Sequence, residues 1–194
     1  MNTPAHLIMG AAAFGKPGHR RVTIAAVAGA MAPDISLYAM VSWSIYVLGV
    51  EPRVVFGEYY YSSAWQQVFA IDNSFILWGL ALGLAVWSRR PALIAFAGAA
   101  FLHLTFDFPV HNDDARMQFW PISDWVFASP ISYWDPRFHA AIVGPLELGI
   151  AMVLSAFMLV RYKTLRARVL IIVLAGTEIV ATGFFGWFFL NAAH

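Results

Sequence analysis

The sequence predicts an all-α integral membrane protein: a helical bundle of about five transmembrane helices preceded by a short N-terminal half-helix. Three observations carry this. Of the 194 residues 60% are hydrophobic and only 12% charged, with a mean hydropathy of +0.66, far from the balance of a soluble domain. Five apolar runs, at about 22–50, 73–87, 91–108, 138–160 and 169–190, approach or exceed the roughly 20 residues that cross a bilayer. Nine of the twelve Lys and Arg fall in three short loops, 16–21, 88–90 and 161–168, which alternate with longer, weakly acidic connections as the positive-inside rule requires. The basic loops are therefore expected on the cytoplasmic side, and one polytopic domain over 1–194 uses the whole chain.

Taken in order, residues 4–14 form a segment too short to cross alone. Thr3 is expected as its N-cap, Pro4 suits the first turn, and Gly15 with Pro17 stops it. No basic residue precedes this apolar run, so it is expected to stay in the mature protein rather than to be cleaved as a signal peptide. The run 22–50 is interrupted by Pro33, which disturbs the helical hydrogen-bond ladder. The run 73–87 is short, so its helix is expected to reach back before Asp72, a residue that otherwise reads as an N-cap. The runs 91–108, 138–160 and 169–190 are of full length. Between the third and fourth lies the segment 109–137, rich in Trp, Phe and Pro. It is expected to be an ordered interfacial loop that roofs a cavity, or a docking surface for another membrane protein.

The net charge is +1 with no extended basic cluster, so no nucleic-acid partner is expected; membrane lipids are the expected surroundings. With no cysteine, thiolate metal sites, Fe–S clusters and cysteine nucleophiles are excluded. Any metal must sit on His, carboxylate or water.

Ionisable groups inside hydrocarbon are costly and face the bundle interior. His103 and Asp107 are four residues apart and share a helical face, which His111 continues if Pro109 only kinks the helix. This His-Asp-His stripe offers imidazole and carboxylate donors suited to a divalent metal, zinc or manganese; a plain His–Asp hydrogen bond satisfying two buried groups is the alternative. Asp34 and His103 each lie twelve residues beyond the start of their run, roughly 18 Å in. His6, ten residues before Lys16, lies about 15 Å deep if the first segment rises from the cytoplasmic face. Glu147, after Pro145, returns toward the same level. Glu147 and Asp34 are the candidate general bases, with His139 a possible further contributor and Glu178 a structural partner.

The stretches NTPAHL, the PD of MAPDISLY, and HLTFDFPVH followed by FWP resemble the YdjM-like membrane-bound metal-dependent hydrolase family of bacterial inner-membrane proteins. The resemblance runs in short islands from Met1 to about Pro136. It implies a polytopic inner-membrane protein whose metal is held at the positions of His6, Asp34, His103, Asp107 and His111, with hydrolytic activity. The family's Asp-His after the PD and its His-Arg-Gly…Thr-His element are absent. The function expected is hydrolysis of an amphiphilic or lipid-linked substrate near the outer, periplasmic face. The alternative is a non-catalytic integral subunit of a larger photosynthetic or respiratory assembly with a structural or vestigial metal site. A haem or pigment site on His103 or His139 is disfavoured by the carboxylate beside His103.

Overall fold

The computed structural model describes the backbone of residues 1–192 and the side chains of residues 1–184. The described residues are helices and loops with no strand. In chain order the elements are α1 (Thr3–Phe14), α2 (Arg20–Met31), a 3-10 turn (Ala32–Asp34), α3 (Ile35–Ser42) ending in a π turn (Trp43–Val47), and the short α4 (Pro52–Val54) with a second π turn (Val55–Tyr59). Then come α5 (Ser63–Asp72), α6 (Phe75–Ser88), α7 (Pro91–Asp107), α8 (Ala140–Arg161) and α9 (Leu165–Ala192). Five stretches are long and apolar enough to cross a membrane: Arg20–Val47, Ser63–Ser88, Pro91–Val110, Ala140–Arg161 and Leu165–Phe184. Side chains such as Leu80, Leu84, Val153 and Val160 stand exposed on their outer faces, an arrangement that suits hydrocarbon and not water.

The second stretch reaches back before Asp72, as its short apolar run predicts, and does so through a separate helix, α5. The polar pair Gln66 and Gln67 lowers the hydropathy of 63–72, yet this segment is helical as α5, with Ser62 accepting from Trp65 N as its N-cap. Asp72 ends α5 and does not cap α6. The cap is Ser74, whose hydroxyl accepts from Leu77 N at 3.1 Å and donates to the Trp120 carbonyl. Ser74→Ala removes both bonds at a fully buried position and is expected to cost about 1–2 kcal/mol in thermal unfolding in detergent.

α1 is the hub. Apart from Thr3 and His6 it is apolar, and it packs against α2, α7, α8 and α9, with Ala5, Ile8, Met9, Ala11 and Ala12 buried. Small residues let the neighbours close in: a Cβ on Gly10 would lie 2.6 Å from Ala30 Cβ, one on Gly98 would meet the Phe14 ring at 2.5 Å, and one on Gly29 would overlap the Phe96 backbone. α1 descends from its N-terminal end, beside the end of α7, to a loop where Arg161 donates to the Ala12 and Gly15 carbonyls.

The segment between α7 and α8 is ordered by backbone and side-chain bonds. Ser129 donates to Pro109 O and its amide to His111 O, while Tyr133 N donates to Val110 O. Its Phe119, Trp125 and Phe127 pack with Phe108 in a cluster of stacked, tilted and edge-on rings. At its far end Arg137 hydrogen-bonds the Asp135 carboxylate and holds it below the usual carboxylate range.

Candidate metal centre

Pro33 has no N–H, and the first long helix tightens to 3-10 winding over Ala32–Asp34. Just before this turn, in the last turn of α2, the Ala30 carbonyl accepts from His103 Nδ1 at 2.7 Å. One helical turn beyond His103, Asp107 faces the same way, because residues four apart share a face. From the opposite side α1 brings His6, whose ring stacks on His103 with centroids 3.5 Å apart and planes within 8°.

The two stacked rings present their Nε2 atoms to the two oxygens of one carboxylate. His6 Nε2 lies 2.8 Å from Asp107 Oδ1 and His103 Nε2 3.1 Å from Asp107 Oδ2. All three residues are nearly sealed from bulk, at 2%, 2% and 7% exposure, and their donor atoms fall within 4.8 Å of one another. The buried His6–His103–Asp107 cluster could therefore hold a metal ion. Four-coordinate zinc with bonds of 2.0–2.1 Å separates its donors by about 3.3 Å, close to the spacings found here. The Met1 nitrogen also donates to Asp107 Oδ1, at 2.5 Å.

The protonation of His103 follows from its neighbours. A carbonyl only accepts, so Nδ1 carries the proton toward Ala30. In the neutral ring Nε2 would then aim a lone pair at Asp107 Oδ2 and at Asp34 Oδ1, 3.7 Å away. Two species relieve that repulsion: an imidazolium, or a cation shared by Nε2 and the carboxylates. His6 Nδ1 is buried without a hydrogen-bond partner, so stacking and Asp107 orient this ring.

Of the other residues expected from sequence, Asp34 borders the cluster and accepts from Thr3 Oγ1 at 2.6 Å. The Thr3 hydroxyl thus serves Asp34 and not the start of α1, whose N-cap position is Asn2. His111 does not continue the stripe. Beyond Pro109 the chain leaves the helix, and His111 Nδ1 donates to the Asp107 backbone carbonyl at 2.9 Å while Nε2 lies 3.6 Å from Asp114 Oδ2. Burial lowers its pKa below the ordinary histidine value. Glu147 faces away, accepting from Asn2 N at 2.6 Å, and Glu178 accepts from Asn2 Nδ2 at 3.2 Å. Both carboxylates anchor the chain at Asn2. His139 stands exposed at the start of α8 in the left-handed conformation.

A cavity of about 250 Å³ adjoins the cluster, lined among others by Asp34, Asp107, His111, Asp114, Arg116 and Tyr133. Glu147 is not among the described residues that line it. Burial pushes the Tyr60 and Tyr133 hydroxyls up from their usual pKa, so both stay protonated. Sequence reasoning left Asn2, Tyr60, Asp114, Arg116 and Tyr133 without roles. A signal existed for Arg116: it is one of three basic residues, with Arg53 and Arg137, outside the basic loops.

Comparison of the chain with protein-family models, with curated proteins and with solved structures gives no match.

Proposed function

We propose that this protein is a membrane-bound metal-dependent hydrolase of a bacterial inner membrane, acting on an amphiphilic or lipid-linked ester whose headgroup enters from the periplasmic side. The observation that carries the proposal is the convergence of His6, His103 and Asp107 in a buried cluster beside a polar cavity. Two imidazoles and one carboxylate suit zinc or manganese. The Ala30 carbonyl fixes the His103 tautomer as an outer acceptor does for a metal-bound histidine. A divalent ion held there would supply Lewis acidity for ester hydrolysis near neutral pH.

The chain's own groups divide the remaining work. Asp34 is the proton acceptor, because it borders both the cluster and the cavity. Tyr60 and Tyr133 line the same space as neutral hydroxyls. The loop after α7 supplies His111, Asp114, Arg116, Gln118 and Tyr133 to the cavity wall. The loops after α1, α6 and α8 lie at the opposite helix ends, which supports a cytoplasmic placement for 16–21, 88–90 and 161–168. The resemblance of NTPAHL and HLTFDFPVH to the YdjM-like hydrolases supports the same reading.

One observation favours a second reading, a non-catalytic subunit of a larger membrane assembly. Both Asp107 oxygens are already engaged, by Met1 N, His6 and His103, as in a structural site. Hydrolysis separates the two. Protein loaded with zinc or manganese is expected to cleave a phosphoester lipid in mixed micelles at least tenfold faster than the same protein after chelation. Equal rates with and without chelator, together with a partner membrane protein co-purifying at fixed stoichiometry, would replace the first reading with the second.

A further inference from the structure

Arg116 stands out among the cations of this molecule. The ion pairs among the described residues fall on Met1, His6, His103, His111 and Arg137, none on Arg116. Its Nη1 is buried and has no hydrogen-bond partner. Leaving a guanidinium N–H buried and unbonded is costly, more so than for a neutral donor. Such a donor is expected to find its acceptor in a ligand.

The placement fits that role. The guanidinium lies over the Phe69 ring, 4.0 Å from its centroid, and 4.8 Å from that of Tyr60. The two rings hold the group by cation–π attraction and leave its edge free. That edge belongs to the wall of the cavity that also contains Asp107, His111 and Gln118. Asp72 is a carboxylate whose charge it feels, and Asp114, which lines the same cavity, accepts from the Trp134 indole through Oδ2 at 2.9 Å. A space of about 250 Å³ is small for a ligand pocket, which commonly spans about 300–1,000 Å³. It matches a headgroup and not a whole lipid.

We propose that Arg116 is the anion-binding residue of this cavity and takes the phosphate of a phosphoester, with Asp107 of the His6–His103–Asp107 cluster lining the same cavity. The guanidinium fork pairs two phosphate oxygens at once, which a lysine cannot do. Asp34, Asp107 and Asp114 repel a bare anion, so phosphate binds more tightly when a divalent cation occupies the cluster. The inference rests on the hydrolase reading for the purpose of the anion, and on Arg116 alone for its position.

The test uses full-length protein in detergent, with and without one equivalent of zinc, titrated calorimetrically with inorganic phosphate and, separately, with a short-chain phosphatidic acid in mixed micelles. Metal content is measured on each sample. Arg116→Gln is expected to weaken the bound probe at least tenfold, Arg116→Lys to weaken it about threefold, and Arg53→Gln, exposed on the short α4, to leave it unchanged. Binding of free phosphate alone identifies a soluble phosphoester; binding of phosphatidic acid identifies a lipid headgroup. Equal affinity in wild type and Arg116→Gln, or no binding of either probe to wild type, overturns the proposal. If Arg116→Gln fails to fold, the Arg116→Lys measurement decides, and unchanged affinity there overturns it. A chain without metal that still binds phosphate through Arg116 keeps the anion site and removes the hydrolase reading. A metal-bearing chain indifferent to Arg116 does the reverse.

Discussion

Detergent-purified wild-type protein is expected to carry about one divalent ion per chain, and the His103→Ala/Asp107→Ala double variant only background. Asp107 links both imidazoles, and His103 supplies the nitrogen whose tautomer the Ala30 carbonyl settles. Removing both leaves His6 as a lone buried ligand, which cannot hold zinc or manganese against a chelating resin. Plasma mass spectrometry reads the result directly. The single Asp107→Ala variant carries a separate penalty. Met1 N and His6 Nε2 lose their shared acceptor in a sealed site, and breaking such a pair typically costs about 3–5 kcal/mol. Asp107→Asn keeps the shape and one acceptor oxygen, so it is expected to retain more stability than alanine while losing the metal. Wild type free of metal after chelator-free purification would count against the hydrolase. It would also leave the imidazolium as the species that satisfies His103.

Gly29→Ala is expected to be as damaging as losing a ligand, although Gly29 touches none of the cluster's donor atoms. Its added Cβ would fall on the Phe96 backbone, carbonyl included. Backbone cannot rotate away as a side-chain tip can, so α2 and α7, which pack along each other, must separate. Overpacking of this kind costs about 3 kcal/mol, or a drop in Tm of roughly 10 °C for a chain of this size. The next residue is Ala30, whose carbonyl accepts from His103. Metal content should therefore fall together with stability. Gly83→Ala is the control: nothing lies within 4 Å of its Cβ, and alanine is the better helix former by about 1 kcal/mol. A Gly29→Ala protein that melts and binds metal like wild type would show that the α2–α7 approach is looser than described.

Much of the architecture was legible because hydrocarbon is a demanding solvent. A span must be apolar along its length, so the stretches beginning near Arg20, Pro91, Ala140 and Leu165 declare themselves by composition. The second span declared itself less fully: the short run 73–87 points to helix before Asp72 but not to a start at Ser63, because Gln66 and Gln67 resemble loop residues. The His103–Asp107 relation was legible for another local reason, the fixed spacing of residues on one helical face. His111 illustrates where that logic ends. The same spacing extends it along the stripe on paper, but Pro109 ends the helix and the backbone carbonyl of Asp107 captures the imidazole.

Sequence by itself determined the all-helical membrane class, the short first helix and a helical face carrying His103 and Asp107, since each depends on hydropathy or periodicity within one segment. Only the tertiary structure decided that His6 stacks on His103, that Asp34 borders them while Glu147 is drawn off to Asn2, and that Arg116 is left with a free edge in the cavity. Those relations depend on how closely α1, α2 and α7 approach through Gly10, Gly29 and their alanines. That approach is a sum of contacts between segments distant in the chain, and no local pattern of residues encodes it.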